Sequence, residues 1–219
     1  MAILKRFFEL FVDNLLPEEP TVKKILQTEA SELSRRIAGA KQIEQKYFRP
    51  IFSYQNEMIK TAVWEIKYRG HRELAKKFGG LIYDHLLEQV AEDAVFSNFK
   101  KPLIVPIPIT SKRRRERGFN QTERLAEAII EKDQNTNFEY LKDCLVKIKE
   151  TPSQARSTSR SERLRNLANS FEAKDPEKIR GRNIILLDDV ITTGATMSEA
   201  RKTLLGAGAK KVLCVSLAH

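Results

Sequence analysis

The chain has 219 residues, 41% of them hydrophobic and 31% charged, with 39 Lys and Arg against 29 Asp and Glu for a formal net charge of +10. That length accommodates one domain with an appendage and a core large enough to fold on, which excludes disorder for the bulk of the chain. The two cysteines, Cys144 and Cys214, exclude a disulfide framework and a four-cysteine zinc site, and with no signal-peptide pattern they fit a reducing, cytoplasmic setting.

In chain order, residues 1–16 read as an amphipathic helix interrupted by Lys5, Arg6, Glu9 and Asp13, so neither a membrane span nor a cleavable leader is expected there. The Pro17 to Pro20 break separates it from a second, charged helical run over 21–45. Residues 1–50 are thus expected to form a helical extension ahead of a domain spanning 51–219. Apolar residues at three-to-four spacing predict helices over 54–68 (Met58, Ile59, Ala62, Val63, Ile66) and 72–90 (Leu74, Phe78, Ile82, Leu86). A continuous apolar run predicts a strand over 103–109, followed by a helix over 120–131. A second buried strand over 183–187, a helix over 195–205 and a last strand over 211–217 complete the pattern. Strands apolar on both faces that alternate with helices predict an α/β fold: a mostly parallel sheet with helices on both faces. Ligands of such sheets bind beyond the carboxyl ends of the strands.

The stretch richest in chemistry is DDVITTGAT, residues 188–196, where a buried strand ends in two adjacent acids and a hydroxyl-rich loop opens a helix. Its parts suit a sugar phosphate. Backbone N–H groups of a tight loop at a helix N-terminus form an anion cradle, to which the hydroxyls of Thr192, Thr193 and Thr196 add donors. Gly194 permits close backbone approach. Asp188 and Asp189 can accept hydrogen bonds from vicinal ribose hydroxyls, or hold a Mg²⁺ that keeps most of its waters. No Walker motif G-x-x-x-x-G-K-S/T occurs.

This pattern resembles the signature of the type I phosphoribosyltransferase fold. Three further segments narrow the resemblance: VPIPITSKRRRERGFNQ at 105–121, WEIKYRG at 64–70 with RELA at 72–75, and TPSQA at 151–155 leading into SERLRN at 161–166. Together they resemble the ComF family of competence-associated, phosphoribosyltransferase-like proteins over roughly residues 55–219. Many members of that family carry an N-terminal four-cysteine zinc finger. No cysteine precedes Cys144 here, so the resemblance implies no role for such a finger. What it does imply is that Asp188 and Asp189 contact the ribose 2′ and 3′ hydroxyls of phosphoribosyl pyrophosphate and serve as the catalytic pair. The loop Val190, Ile191, Thr192, Thr193, Gly194, Ala195 and Thr196 would then grip the 5′-phosphate.

The excess charge is concentrated in two windows. Residues 101–120 hold Lys101, Lys112, Arg113, Arg114, Arg115 and Arg117 against Glu116, and residues 146–170 hold Lys147, Lys149, Arg156, Arg160, Arg163 and Arg165 against Glu150 and Glu162. The rest is close to neutral, so an anionic partner is expected at these windows rather than diffusely. Both are expected to be loops. By the resemblance, the first follows a strand where pyrophosphate binds, making Lys112, Arg113 and Arg117 candidates for pyrophosphate or phosphodiester contact. The second matches a loop that closes over the site, with Arg156, Arg160 and Arg163 as clamps. Lys67 and Arg69 either reach the phosphate site or end a helix by pairing with its dipole. Trp64 and Phe119 read as core or loop anchors rather than base-stacking platforms. His71 and His85 have no metal-ligand partners at useful spacing.

Phosphoribosyl transfer would pass through an oxocarbenium-like state, with the protein positioning the reactants and neutralising the departing pyrophosphate, and Mg²⁺ would be required. No acceptor site is legible. Two functions follow: a Mg²⁺-dependent phosphoribosyltransferase, or at least a binder of phosphoribosyl pyrophosphate, and a non-catalytic accessory that holds single-stranded DNA, alongside other DNA-uptake proteins, on the same basic segments. The sequence sets no oligomeric state.

Overall fold

The structure, a computed structural model, describes residues 19–41, 43, 45–97, 99–150 and 167–219. The expected helix over 1–16 and the candidate residues Arg156, Arg160 and Arg163 lie outside the described residues. Among those described, the elements run α1 (Pro20–Gln27), α2 (Ala30–Arg36), β1 (Phe48–Phe52), α3 (Glu57–Trp64), a π-helical turn (Glu65–Arg69) and α4 (Arg72–Ser97). There follow β2 (Leu103–Pro106), α5 (Ser111–Arg117), α6 (Gln121–Lys132), β3 (Glu139–Tyr140), β4 (Leu145–Lys147), β5 (Phe171–Ala173), α7 (Pro176–Ile179), β6 (Asn183–Val190), α8 (Ala195–Gly206) and β7 (Lys211–Ala218).

Five strands form one sheet in the order β1-β7-β6-β2-β3, with every neighbour parallel. Alternate residues of its central strands feed two separate cores, as period-2 side-chain geometry requires. Ile104, Ile185, Leu187, Leu213, Val215 and Leu217 join the apolar faces of α1 to α4 and α6. Leu103, Val105, Ile184, Leu186, Val212 and Cys214 meet α8, Ile179 of α7 and the antiparallel β4–β5 hairpin on the other face. The α/β reading with helices on both faces of a parallel sheet therefore holds. Burial pushes the thiols of Cys144 and Cys214 up to about 12, which leaves both as inert core groups.

One expectation for the N-terminal part is corrected. The run over 21–45 is not one helix: α1 and α2 are short, and β1 follows them. Val22, Ile25 and Leu33 are fully buried in the same core as α3 and α4, so these helices pack on the domain. The expected boundary at 50/51 falls inside β1. That strand carries Arg49 and Pro50, and it lies at the edge of the sheet, where a residue without an N–H is tolerated. Among the described residues no helix is long and apolar enough to cross a membrane.

The topology fixes where a ligand can sit. From β2 the chain proceeds outward to β3, whereas from β6 it proceeds through α8 to β7 on the opposite side, so strand order reverses between β2 and β6. Crevices at such switch points, outside the carboxyl ends of the strands, are the binding sites of open α/β sheets. Pro106, the last residue of β2, is opposite Leu187. Asp188 and Asp189 therefore stand just past the end of β2, at the mouth of that crevice.

Candidate functional site

β6 delivers both acids as buried groups, Asp188 at 9% and Asp189 at 6% exposure. The Asp189 N–H donates to Asp188 Oδ1 at 2.9 Å, and the Val190 N–H donates to Asp189 Oδ1 at 2.9 Å. Burial first, and then the adjacent Asp189 charge, hold the Asp188 carboxyl well above the usual carboxylate range, with Lys67 pulling the other way. Lys67 Nζ lies 3.6 Å from Asp189 Oδ2, and Gln121 Nε2 donates to the same oxygen at 3.3 Å. Two neighbouring buried carboxylates with one lysine beside Asp189 leave a demand for further positive charge. A divalent cation that takes oxygen ligands fits that demand, with its remaining ligands supplied by water or phosphate. No group of three or more His, Cys, Asp or Glu capable of holding a metal occurs among the described residues, so the acid pair alone would anchor it.

The segment after the acids turns into α8. Ile191 is buried in the second core, and its N–H donates to Ala218 O at 2.9 Å. The His219 ring nitrogen Nδ1 lies 2.9 Å from Ile191 O. The amides of Val190 and Ile191 are thus engaged within the protein and anchor the loop on β7. Thr192 is exposed and Thr193 and Thr196 half-buried, while Gly194 and Ala195 are buried. Gly194 caps α8 in the left-handed region at φ 71°, and the Ala195 N–H reaches Thr193 Oγ1 at 3.5 Å. A Cβ at Gly194 would lie 2.7 Å from Phe48 Cζ, so the ring of β1 closes the floor of the loop. The N-terminal turn of α8 directs its dipole at this segment, the arrangement that accommodates phosphate.

The first basic window is a helix, not the expected loop. Thr110 caps it by accepting the Arg113 N–H at 3.4 Å, and Gly118 ends it at φ 79°. Lys112 and Arg115 are exposed on α5, while Arg113 and Arg117 are half-buried. Arg114 pairs with the buried Glu123, which Lys142 also meets at 3.2 Å, so that charge serves the α5–α6 junction. Asn120 ties the junction to β2 by donating to Ile107 O at 3.0 Å while capping α6 at Thr122. Arg117 reaches Gln121 Oε1 at 3.2 Å, which connects it through Gln121 to Asp189. Arg69 pairs with the buried Glu65 at 3.1 Å and stacks over Trp64. Of the cations singled out from the sequence, Lys67 is thus in contact with the acid pair and Arg117 is one residue removed from it. Lys112 is presented outward.

Gln121, the last residue of the 105–121 motif, and Lys147, one of the cations of the second basic window, also belong to the site neighbourhood, although neither was a candidate site residue from the sequence. Lys147 on β4 is held below the ordinary lysine range by burial and then by the charge of Arg113, while Asp188 works against both. The charges of Arg113 and Lys147 oppose one another, and an anion bound near them would relieve that repulsion. Trp64 also departs from its reading as a buried anchor, being 47% exposed. Phe119 is half-buried beneath the Arg124 guanidinium, 3.9 Å from its ring centroid.

Comparison with known proteins identifies the family of the fold. The phosphoribosyl transferase domain family matches residues 81–219, more than half of the chain. Competence protein ComFC of Streptococcus pneumoniae is 37% identical over 169 residues, covering 77% of this chain and 66% of that protein. ComFC of Bacillus subtilis is 32% identical over 160 residues, covering 73% and 58%. DNA utilization protein YhgH of Escherichia coli is 29% identical over 160 residues, covering 72% and 66%. The chain thus spans somewhat under two thirds of the length of these relatives. On the family match over residues 81–219 and these relatives, the chain belongs to the phosphoribosyl transferase domain family, as a ComFC-like member.

Proposed function

We propose that the site binds phosphoribosyl pyrophosphate together with Mg²⁺, in a protein that serves DNA uptake or use. The observation that carries the reading is the buried Asp188–Asp189 pair at the switch point, with Asp188 pushed toward its neutral form until a cation arrives. In this reading Asp188 and Asp189 accept the ribose hydroxyls or hold Mg²⁺ through its waters, and Lys67 and Gln121 fix the orientation of Asp189. Thr192, Thr193, Thr196 and the first turn of α8 take the 5′-phosphate. Arg113, Lys147 and Arg117 face the pyrophosphate, with Lys112 and Arg69 farther out. Bound Mg²⁺ would supply charge neutralisation for the departing pyrophosphate. If an acceptor attacks the anomeric carbon, its bond to that carbon forms as the bond to the pyrophosphate oxygen breaks, and the cations around Arg113 stabilise the leaving group.

Thermal shift tests the reading. A ligand that binds the folded state alone stabilises it by about 2.7 kcal/mol at a hundred times its dissociation constant. Phosphoribosyl pyrophosphate with Mg²⁺ is expected to raise the melting temperature more than ribose 5-phosphate or pyrophosphate does, and the effect should shrink when Mg²⁺ is chelated. Unchanged melting with all three ligands would overturn it.

A second reading is favoured by the outward presentation of Lys112 and Arg115 on α5. Such a surface suits a polyanionic strand, and the names of the relatives, competence and DNA utilization, point the same way. On this reading the α5 face holds single-stranded DNA.

A further inference from the structure

We infer that Trp64 and Tyr68 form a stacking platform for the bases of a single-stranded nucleic acid, with Lys67, Arg69 and Arg117 receiving its phosphates. The inference rests on the second reading above, that a strand lies along the α5 face, and adds where and how its bases are held.

Trp64 closes α3 and Tyr68 lies four residues on, in the π-helical turn. The buried face of this segment is made by Ile59, Ala62, Val63 and Ile66, which leaves the two rings outside the core. Trp64 is 47% and Tyr68 56% exposed, and their centroids are 5.7 Å apart at 46°. Cations crowd this pair. The Arg69 guanidinium lies 5.1 Å from the Trp64 centroid, Arg117 lies 5.3 Å from that of Tyr68, and the Lys67 ammonium lies 6.0 Å from it. Exposed rings interleaved with cations are the combination that holds single strands: bases stack on the rings and phosphates meet the charges, with little dependence on sequence.

The platform is also joined to the acid pair. Lys67 pairs with Asp189 at 3.6 Å and stands 6.0 Å from the Tyr68 ring centroid, and Arg117 links Tyr68 to Gln121. It lies on the α6 side of the sheet, whereas the β4–β5 pair packs on the opposite face. Magnitude selects the occupant. Stacking one base on one ring is worth roughly 5- to 150-fold in affinity, too little for two half-exposed rings to retain a free base. A strand whose phosphates also run along α5 gains from many weak contacts at once, which matches the basic character of that helix.

Trp64 is the sole tryptophan of the chain, so its fluorescence reports on stacking directly. A short oligothymidylate, an abasic phosphodiester oligomer of equal length and thymidine monophosphate serve as probes, with binding followed by both Trp64 emission and the anisotropy of labelled oligomers. The oligothymidylate is expected to quench Trp64 and to bind at least fivefold more tightly than the abasic oligomer. Tyr68→Ala and Trp64→Leu should each weaken oligothymidylate binding by roughly tenfold, leaving abasic binding and the salt dependence unchanged. Equal affinity of the two oligomers, or oligothymidylate binding unaltered in both variants, would overturn the platform while leaving strand binding intact. Quenching by the monophosphate at the affinity of the oligomer would overturn the choice of a strand. Absence of any oligomer binding would remove the second reading and this inference together.

Discussion

Asparagine in place of Asp188 is expected to raise the melting temperature of the ligand-free protein at neutral pH while weakening its hold on phosphoribosyl pyrophosphate and Mg²⁺. The side chain is buried beside a second buried carboxylate, and both burial and that neighbour raise its pKa above the ordinary range. A raised carboxyl pKa means that the fold favours the protonated form, so wild-type stability falls as pH rises from about 3.9, the unfolded value, through the folded one. Asparagine is the uncharged isostere, still accepts the Asp189 N–H, and escapes that loss. The melting temperatures of variant and wild type should therefore converge in acid and separate toward neutrality. For a chain of this size each 1 kcal/mol corresponds to about 2–4 °C. A lower melting temperature for the variant at neutral pH, or a gap independent of pH, would contradict the electrostatic account. Ligand affinity should move the opposite way, by roughly 10- to 150-fold, the worth of one hydrogen bond to a charged group.

Gly194→Ala is expected to destabilise the fold by about 2–5 kcal/mol and to damage phosphate binding. Two costs add. The left-handed backbone at φ 71° disfavours any Cβ by about 1–2 kcal/mol, and the new methyl would sit 2.7 Å from the ring of Phe48, which is itself buried in β1. Overpacking of that kind costs about 1–3 kcal/mol. A double-mutant cycle in urea separates the two contributions. Phe48→Leu makes room for the methyl but cannot relieve the backbone, so the double variant should be more stable than the sum of the single effects predicts. Strict additivity would show that Phe48 does not form the floor of the loop.

Much of this site was legible because its parts are local. The strand around Leu186, the acids after it and the Thr-Gly loop follow one another directly, and the apolar runs of β2, β6 and β7 stand out because both faces of the sheet are covered. What was not legible depends on contacts between distant segments. Gln121 is the last residue of a recognised motif, yet its role appears only when α6 packs beside β6 and brings it to Asp189. Lys147 lies on a three-residue strand that no periodicity reveals. Helix α5 escaped because periodicity needs apolar residues and SKRRRER has none, although Thr110 and Gly118 mark both of its ends. β1 escaped because Pro50 and Arg49 argue against a strand, which edge position permits. The exposure of Trp64 follows from which face of α3 is buried, and that is set by α1 and α4.

Calorimetric titration of phosphoribosyl pyrophosphate into the protein, with and without Mg²⁺, addresses the central claim most directly when wild type is compared with the double variant Asp188→Asn, Asp189→Asn. Saturable heat is expected for wild type with Mg²⁺, much weaker binding without the metal, and loss of binding in the double variant. Equal heats in the two proteins, or none in wild type with Mg²⁺ present, would contradict it.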